Sequence, residues 1–328
     1  RHSHSYDTAP RTMAHHQKPE SALRRANELY ATGKKQHAIE TLNNILTSKR
    51  HKSWTKTHEE MMKLYIRICV DLRRNVYAKD GLHQYRSISQ QHQPESLQTV
   101  VQYFLDLAEQ RCEDALSRSN FKLEASDDLD DIASAETLML TSVTTEGDRE
   151  RVERETLVPW LRFLHDAYRT VLDIVRNNNK LEHVYHNTCG RAYDFCIKYE
   201  RKQEFRRICE FIRRHLVSIE KWSTQENPKR PSYQIVLNAD VYEKHLKTKF
   251  RQLKAAVDLQ MLREAYKTIE EIHRVIGIIN RPVQKEMMAE YYRRLTDVST
   301  ARPHHHPFPH YSPLSGTCVF ANTAQLSL

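Results

Sequence analysis

The sequence predicts an all-α fold, a right-handed superhelix of stacked antiparallel helix pairs. Three observations predict it. Apolar residues recur at helical spacing along most of the chain, leaving one apolar stripe on each segment. Glycine is scarce at 6 of 328 residues and proline modest at 11, so the turn-rich composition of a sandwich or barrel is absent. Charged residues make up 28% and hydrophobic ones 39%, the balance of amphipathic helices with wet outer faces.

The opening unit, PESALRRANELYATGKKQHAIETLNNILTSKR from Pro19 to Arg50, sets the pattern. Ala22, Leu23, Ala26, Leu29 and Tyr30 stripe its first helix, and Ala38, Ile39, Leu42, Ile45 and Leu46 repeat that spacing in the second. Gly33 supplies the left-handed residue that ends the first helix. A hairpin of this kind cannot bury both stripes alone and needs a neighbour to stack on, as in tetratricopeptide-like solenoids.

A third helix from about Thr57 carries Met61, Met62, Tyr65, Ile68, Cys69 and Leu72. A fourth, near Val76 to Gln91, carries Leu82, Tyr85 and Ile88, with Gly81 as a weak point costing roughly 1 kcal/mol against alanine. Pro94 opens a fifth helix striped by Leu97, Val100, Val101, Phe104, Leu107 and Ala108. The carboxylates Glu124, Asp127, Asp128, Asp130 and Asp131 then mark an acidic, solvated loop near residues 121–134. A helix from Thr156 presents Trp160, Leu161, Leu164, Ala167, Tyr168, Val171, Leu172 and Val175, and Asn177 to Asn179 stop it. Two more, from Lys180 and after Glu200-Arg201, bury Tyr185, Phe195 and Cys196, then Phe205, Ile208, Cys209 and Ile212, with Arg206, Arg207, Arg213 and Arg214 on other faces. After the loop from Ser223 to Ser232 come helices from about Tyr233 to Val257, from an Asp258 cap through Ile276, and from Pro282 onward. The helical region thus spans residues 19–300. Residues 1–18 read as an unstructured leader, with Met13 the natural start, and residues 301–328, rich in Pro and Ser, as a disordered tail.

Chemistry is thinly signalled. Walker A, GxGxxG and GxSxG motifs are absent. His58-Glu59-Glu60-Met61-Met62 begins like a zinc-protease helix, but Met62 stands where the second histidine is required. His183, His186 and Cys189 share one helix face without a fourth ligand, and ordinary surface and core roles account for them better than zinc. The sequence points to no enzymatic activity, no cofactor and no small-molecule substrate. No cysteine pair has CxxC spacing and no run reaches a membrane span, which reads as a cytoplasmic protein with reduced thiols and no membrane partner.

The net charge of +9 favours anionic partners. Basic residues gather at turns: Lys34 and Lys35 at the first; Lys49, Arg50 and Lys52, with Trp54, at the second; Arg73 and Arg74 at the third. Alternate turns of a stacked array share one edge, so these clusters predict cationic ridges that grip RNA through phosphates. Trp54 is a candidate for stacking on a base, although packing between turns is its commoner use.

Four blocks carry a resemblance: LTSKRHKSW, YIRICVDLRR, AKDGLHQYRSISQQ and LVPWLRFLHDAYRTVLDIVRNN. In order and spacing the chain from Met13 to Ser299 resembles the amino-terminal region of the A-subunit family of eukaryotic translation initiation factor 3. The resemblance implies a scaffold role in that complex and assembly with its other subunits, the C subunit above all. It further implies docking to the small ribosomal subunit, contact with rRNA and mRNA, and mRNA recruitment. The family continues into the winged-helix half of a PCI module, and the tail after Thr300 departs from it. A generic tetratricopeptide-like adaptor gripping peptides on its concave face is the alternative; a lined groove rather than basic ridges would favour it.

Overall fold

The computed structural model describes residues 19–47, 54–90, 92–125, 155–224, 234–279 and 282–300. Among them lie eleven α-helices: α1 Pro19–Ala31, α2 Lys35–Leu46, α3 Lys56–Asp71, α4 Asn75–Ser89, α5 Pro94–Ala125, α6 Val158–Val175, α7 Glu182–Lys198, α8 Lys202–Thr224, α9 Ala239–Asp258, α10 Leu262–Ile279 and α11 Lys285–Thr300. The helices alternate between two layers. Successive odd-numbered helices stack on one another, and the even-numbered ones cover them, so α2 meets α4, α4 meets α6 and α6 meets α8. The stripes read from the sequence form the seam: Ala22, Ala26, Ala38, Leu42, Met61, Tyr65, Leu82, Val100, Phe104, Tyr168, Cys196 and Phe205 join one continuous core.

Four hairpins share one turn. Gly33 (φ 78°), Arg73 (φ 52°), Glu200 (φ 51°) and Gln260 (φ 58°) each hold the left-handed conformation that ends an odd-numbered helix. In each case that residue donates its N–H to a carbonyl three residues back, and the following residue donates to one five residues back. The next helix starts at the residue after that. Five positions past the left-handed residue stand Ala38, Ala78, Phe205 and Ala265, all essentially inaccessible. Fixed turn and fixed contact together set the angle between paired helices.

Several sequence expectations shift. The acidic segment begins later than residue 121: α5 continues through Ala125, because Phe121-Lys-Leu-Glu-Ala consists largely of helix formers; residues 126–134 fall outside the described residues, as do 1–18 and 301–328. α9 starts at Ala239 rather than Tyr233, since the Asn238 side chain accepts from the Val241 N–H at 3.0 Å and fixes the cap. Gln234 instead forms an isolated antiparallel bridge with Asn178. Asp258 is the last residue of α9 and does not cap α10, which follows the Gln260 turn; its carboxylate accepts from Arg294 at 3.5 Å. Gly81 is not a flaw: the Tyr65 ring lies where a Cβ would stand, and the Tyr65 hydroxyl donates to the Tyr77 carbonyl at 2.9 Å.

Candidate nucleic-acid interface

The turn edge is built by contacts that bring the ends of α1, α3 and α7 to one level on the side of α5. At the end of α3, Asp71 accepts from the Tyr30 hydroxyl at 3.0 Å, Lys35 Nζ at 3.2 Å and Arg111 at 2.7 Å. These bonds tie α1, α3 and α5 together. One residue further along α5, Cys112 meets the Tyr199 hydroxyl at 3.6 Å, and Glu113 accepts from Lys198 at 2.8 Å, which brings the end of α7 to the same level. The α1/α2 and α3/α4 turns therefore lie side by side, and the α7/α8 turn reaches the same level on the far side of α5, which runs on to Ala125 between them.

On that edge Lys34 and Arg74 are exposed, and among the described residues neither forms an ion pair. Gly33, Lys34, Lys35, Gln36, His37, Leu72 and Arg74 line one open cleft of about 520 Å³, so the first and third clusters of the sequence meet. Their neighbours are less available. Lys35 is held by Asp71 and sits 5.5 Å above the Tyr30 ring. Arg73 stacks over Trp160, 5.6 Å from the ring centroid.

Lys49, Arg50 and Lys52 lie outside the described residues. Trp54 is half-buried against the core, and its indole N–H donates to the Tyr85 hydroxyl at 3.1 Å. Tyr85 in turn donates to Ser96 (2.6 Å), and Ser96 to Glu59 (2.6 Å). The ring thus serves the packing of α3, α4 and α5.

His183, His186 and Cys189 on α7 do not converge. His183 Nε2 bonds with Gln98 on α5 at 3.1 Å, His186 Nδ1 with Thr248 on α9 at 2.7 Å, and Cys189 is fully buried, its thiol pushed up to about 12 by burial. Among the described residues no group of three or more His, Cys, Asp or Glu side chains is placed to hold a metal ion. No described helix is long and apolar enough to cross a membrane.

Around α9 lies a buried ionic network that no sequence pattern signals. Lys249, 1% exposed, meets Glu271 of α10 at 2.5 Å and the Gln252 carbonyl oxygen at 3.1 Å. Arg213 of α8 reaches the same Glu271. Burial pushes that carboxyl up, but Lys249 and Arg213 more than offset it and hold it below its ordinary range. Beside this network sit His215 and His245. Burial, with Arg176 near the first and His186 near the second, lowers them to about 4 and about 3. In sequence Lys244 and Lys249 are simply two residues of one basic helix. Only their position relative to the α7 and α10 seams separates a solvent-reaching lysine from a core one.

A second concavity lies on the even-numbered layer, a groove of about 290 Å³ lined by Asn75, Val76, Lys79, Asp166, Arg169, Thr170, Asp173 and Phe211. Its charges balance, with Lys79 and Arg169 against Asp166 and Asp173; Asn75 also donates to Asp166 at 3.3 Å and Arg176 pairs with Asp173 at 3.3 Å.

Comparison with known proteins agrees with this architecture. A family model described as "eIF3a, PCI domain, TPR-like region" matches residues 20–306. The chain is 39% identical over 285 residues to the A subunit of eukaryotic translation initiation factor 3 from Danio rerio, covering 87% of this chain and 22% of that protein. It is 38% identical to the Homo sapiens protein of the same name, covering 20% of it, and 40% identical to the Arabidopsis thaliana one, covering 29%. It thus spans less than a third of the length of these relatives. A continuous two-layer helical stack, matched by the family over nearly its whole described length, shows that the chain belongs to the eIF3a PCI/TPR-like family of translation initiation factor 3.

Proposed function

We propose that this chain is a non-enzymatic scaffold segment of the initiation factor 3 complex. In this reading it supports assembly with the other subunits, the C subunit among them, and docks on the small ribosomal subunit during mRNA recruitment in the cytoplasm. The relatives' shared name supports membership of the complex. The observation that carries the docking part is the turn edge, where Lys34 and Arg74 line one open cleft without an internal anion to neutralise them. Such cations contribute through phosphate contact and counterion release, so binding is salt-sensitive and reads little sequence. Lys35, Arg73 and the clustered Lys49, Arg50 and Lys52 belong to the same reading as flanking positive charge. Trp54 contributes packing. The peptide-adaptor alternative would use the groove around Phe211, but its balanced charges and small volume support it less.

The test is sedimentation through a gradient with purified small ribosomal subunits. The chain is expected to co-migrate at low salt, and the double variant Lys34→Glu, Arg74→Glu to trail free at the top. Free migration of the unaltered chain, or unchanged co-migration of the variant, would remove the docking reading.

A further inference from the structure

We infer that Asp71 is a positioning residue for the Lys34/Arg74 cleft. A negative charge beside the cleft holds its two cations together, so removing that charge weakens the binding of an anion. The inference rests on the docking reading of Lys34 and Arg74 above and adds a residue that acts through them.

Asp71 is the last residue of α3, and its side chain is 9% exposed. Both features count against a carboxylate. The C-terminal end of a helix already carries partial negative charge, and a buried anion needs partners to offset its lost hydration. What it bonds explains its place. Oδ1 accepts from Arg111 of α5 at 2.7 Å and ties α3 to α5. Oδ2 accepts from the Tyr30 hydroxyl of α1 at 3.0 Å and from Lys35 Nζ of α2 at 3.2 Å. That second oxygen clasps both helices of the first hairpin close to their turn.

The clasp joins the two walls of the cleft. One wall is Gly33, Lys34, Lys35, Gln36 and His37; the other is Leu72 and Arg74. Lys35 stands within the first, beside Lys34, and Asp71 directly precedes Leu72 of the second. Lys34 and Arg74 are exposed like charges on facing walls, so they repel each other. The bond from Lys35 to Asp71 opposes that repulsion. An anion spanning the cleft gains from both cations at once only where the walls are already held together, since ordering them on binding would cost affinity.

Charge counting alone gives the opposite sign. Removing an anion from beside the cleft raises the positive potential there, which on its own tightens anion binding. Position and charge therefore make opposite predictions for one substitution.

The experiment titrates the chain with purified small ribosomal subunits between about 50 and 200 mM salt. Asp71→Asn should weaken binding and lower the log–log salt slope by about 1, the loss of one phosphate contact. Lys35→Gln should do the same, and the double variant should lose no more than either, because both break one clasp. Arg111→Gln, which frees only the other oxygen, should leave the slope unchanged. Thermal melts of each variant keep the titrations on folded protein. If Asp71→Asn binds as tightly as the unaltered chain or more tightly, charge alone governs the cleft; the inference is overturned and the docking reading stands. If the double variant returns toward the unaltered slope, the charges merely add and the clasp is wrong. If Arg111→Gln lowers the slope as much as Asp71→Asn, Asp71 serves general packing and the inference again falls. Should Asp71→Asn fail to fold, Tyr30→Phe decides, since it removes one bond of the clasp and changes no charge. It should weaken binding about threefold, the share of one hydrogen bond; unchanged binding would overturn the inference. If the unaltered chain does not bind, the docking reading falls and takes this one with it.

Discussion

The first five helices and the last six reach the same geometry with different seams. Among the described residues of α1 to α5, His58 is the one buried ionisable side chain apart from tyrosine and cysteine, and the seam is Ala, Leu, Ile, Met and aromatic. From α6 onward the buried set includes His165, Glu182, His215, His245, Lys249 and Glu264. Yet α1/α2, α3/α4, α7/α8 and α9/α10 turn through the same left-handed residue and the same two backbone bonds. Backbone turn and register therefore fix the architecture, while the chemistry of the seam is free to vary. An apolar seam is indifferent to pH; an ionic one holds each charge only while its partner is present.

The largest difference should appear on removing a buried charge. Lys249→Ala leaves Glu271 without its ammonium in the seam between α9 and α10, and should cost about 3–5 kcal/mol, read as a lower urea midpoint. A change under about 1 kcal/mol would show that water reaches this network and that the two halves differ less than their burial implies.

Acid should separate the halves next. His215 and His245 are held near 4 and 3, below the ordinary 6.5, so the unfolded chain binds protons that the folded one refuses. Their cost is absent above about pH 6.5 and grows as pH falls, by roughly 1.4 kcal/mol per pH unit for each histidine until the folded values are reached. Hydrogen exchange at pH 5 should show α7 to α10 opening before α1 to α4. Simultaneous opening would mean that the stack unfolds as one unit.

The smallest contrast concerns two glycines. Gly81→Ala pushes a methyl group into the packed Tyr65 ring and should cost about 1–3 kcal/mol. The nearest atoms to a methyl group in Gly190→Ala are the end of the Arg251 side chain, which can swing away from its exposed contact with Asp194, so the change should be close to neutral. Thermal melts of both variants check the pair; equal losses would contradict the packing at one site or the other.

Helix spacing makes the paired layers and most of the core legible in the sequence, because Ala26, Leu42, Met62 and Tyr168 each lie on a stripe of period 3.6. The turns are half legible. Gly33 announces a left-handed residue, whereas Arg73, Glu200 and Gln260 adopt the same backbone without the residue type that signals it. The equivalence of the four turns is hidden for that reason. Lys249 is hidden for another: a lysine on an amphipathic helix is normally wet, and only Glu271 from the neighbouring helix makes its burial tolerable. Gly81 resembles a defect in sequence because the ring that needs its missing side chain lies sixteen residues earlier, at Tyr65.

Whether the turn edge or the helix faces meet the ribosome is tested most directly by amide hydrogen exchange of the chain with and without small ribosomal subunits. Protection should concentrate at residues 33–37 and 72–75. Protection confined to the groove around Val76 and Phe211, with those turns unchanged, would contradict contact through the turn edge.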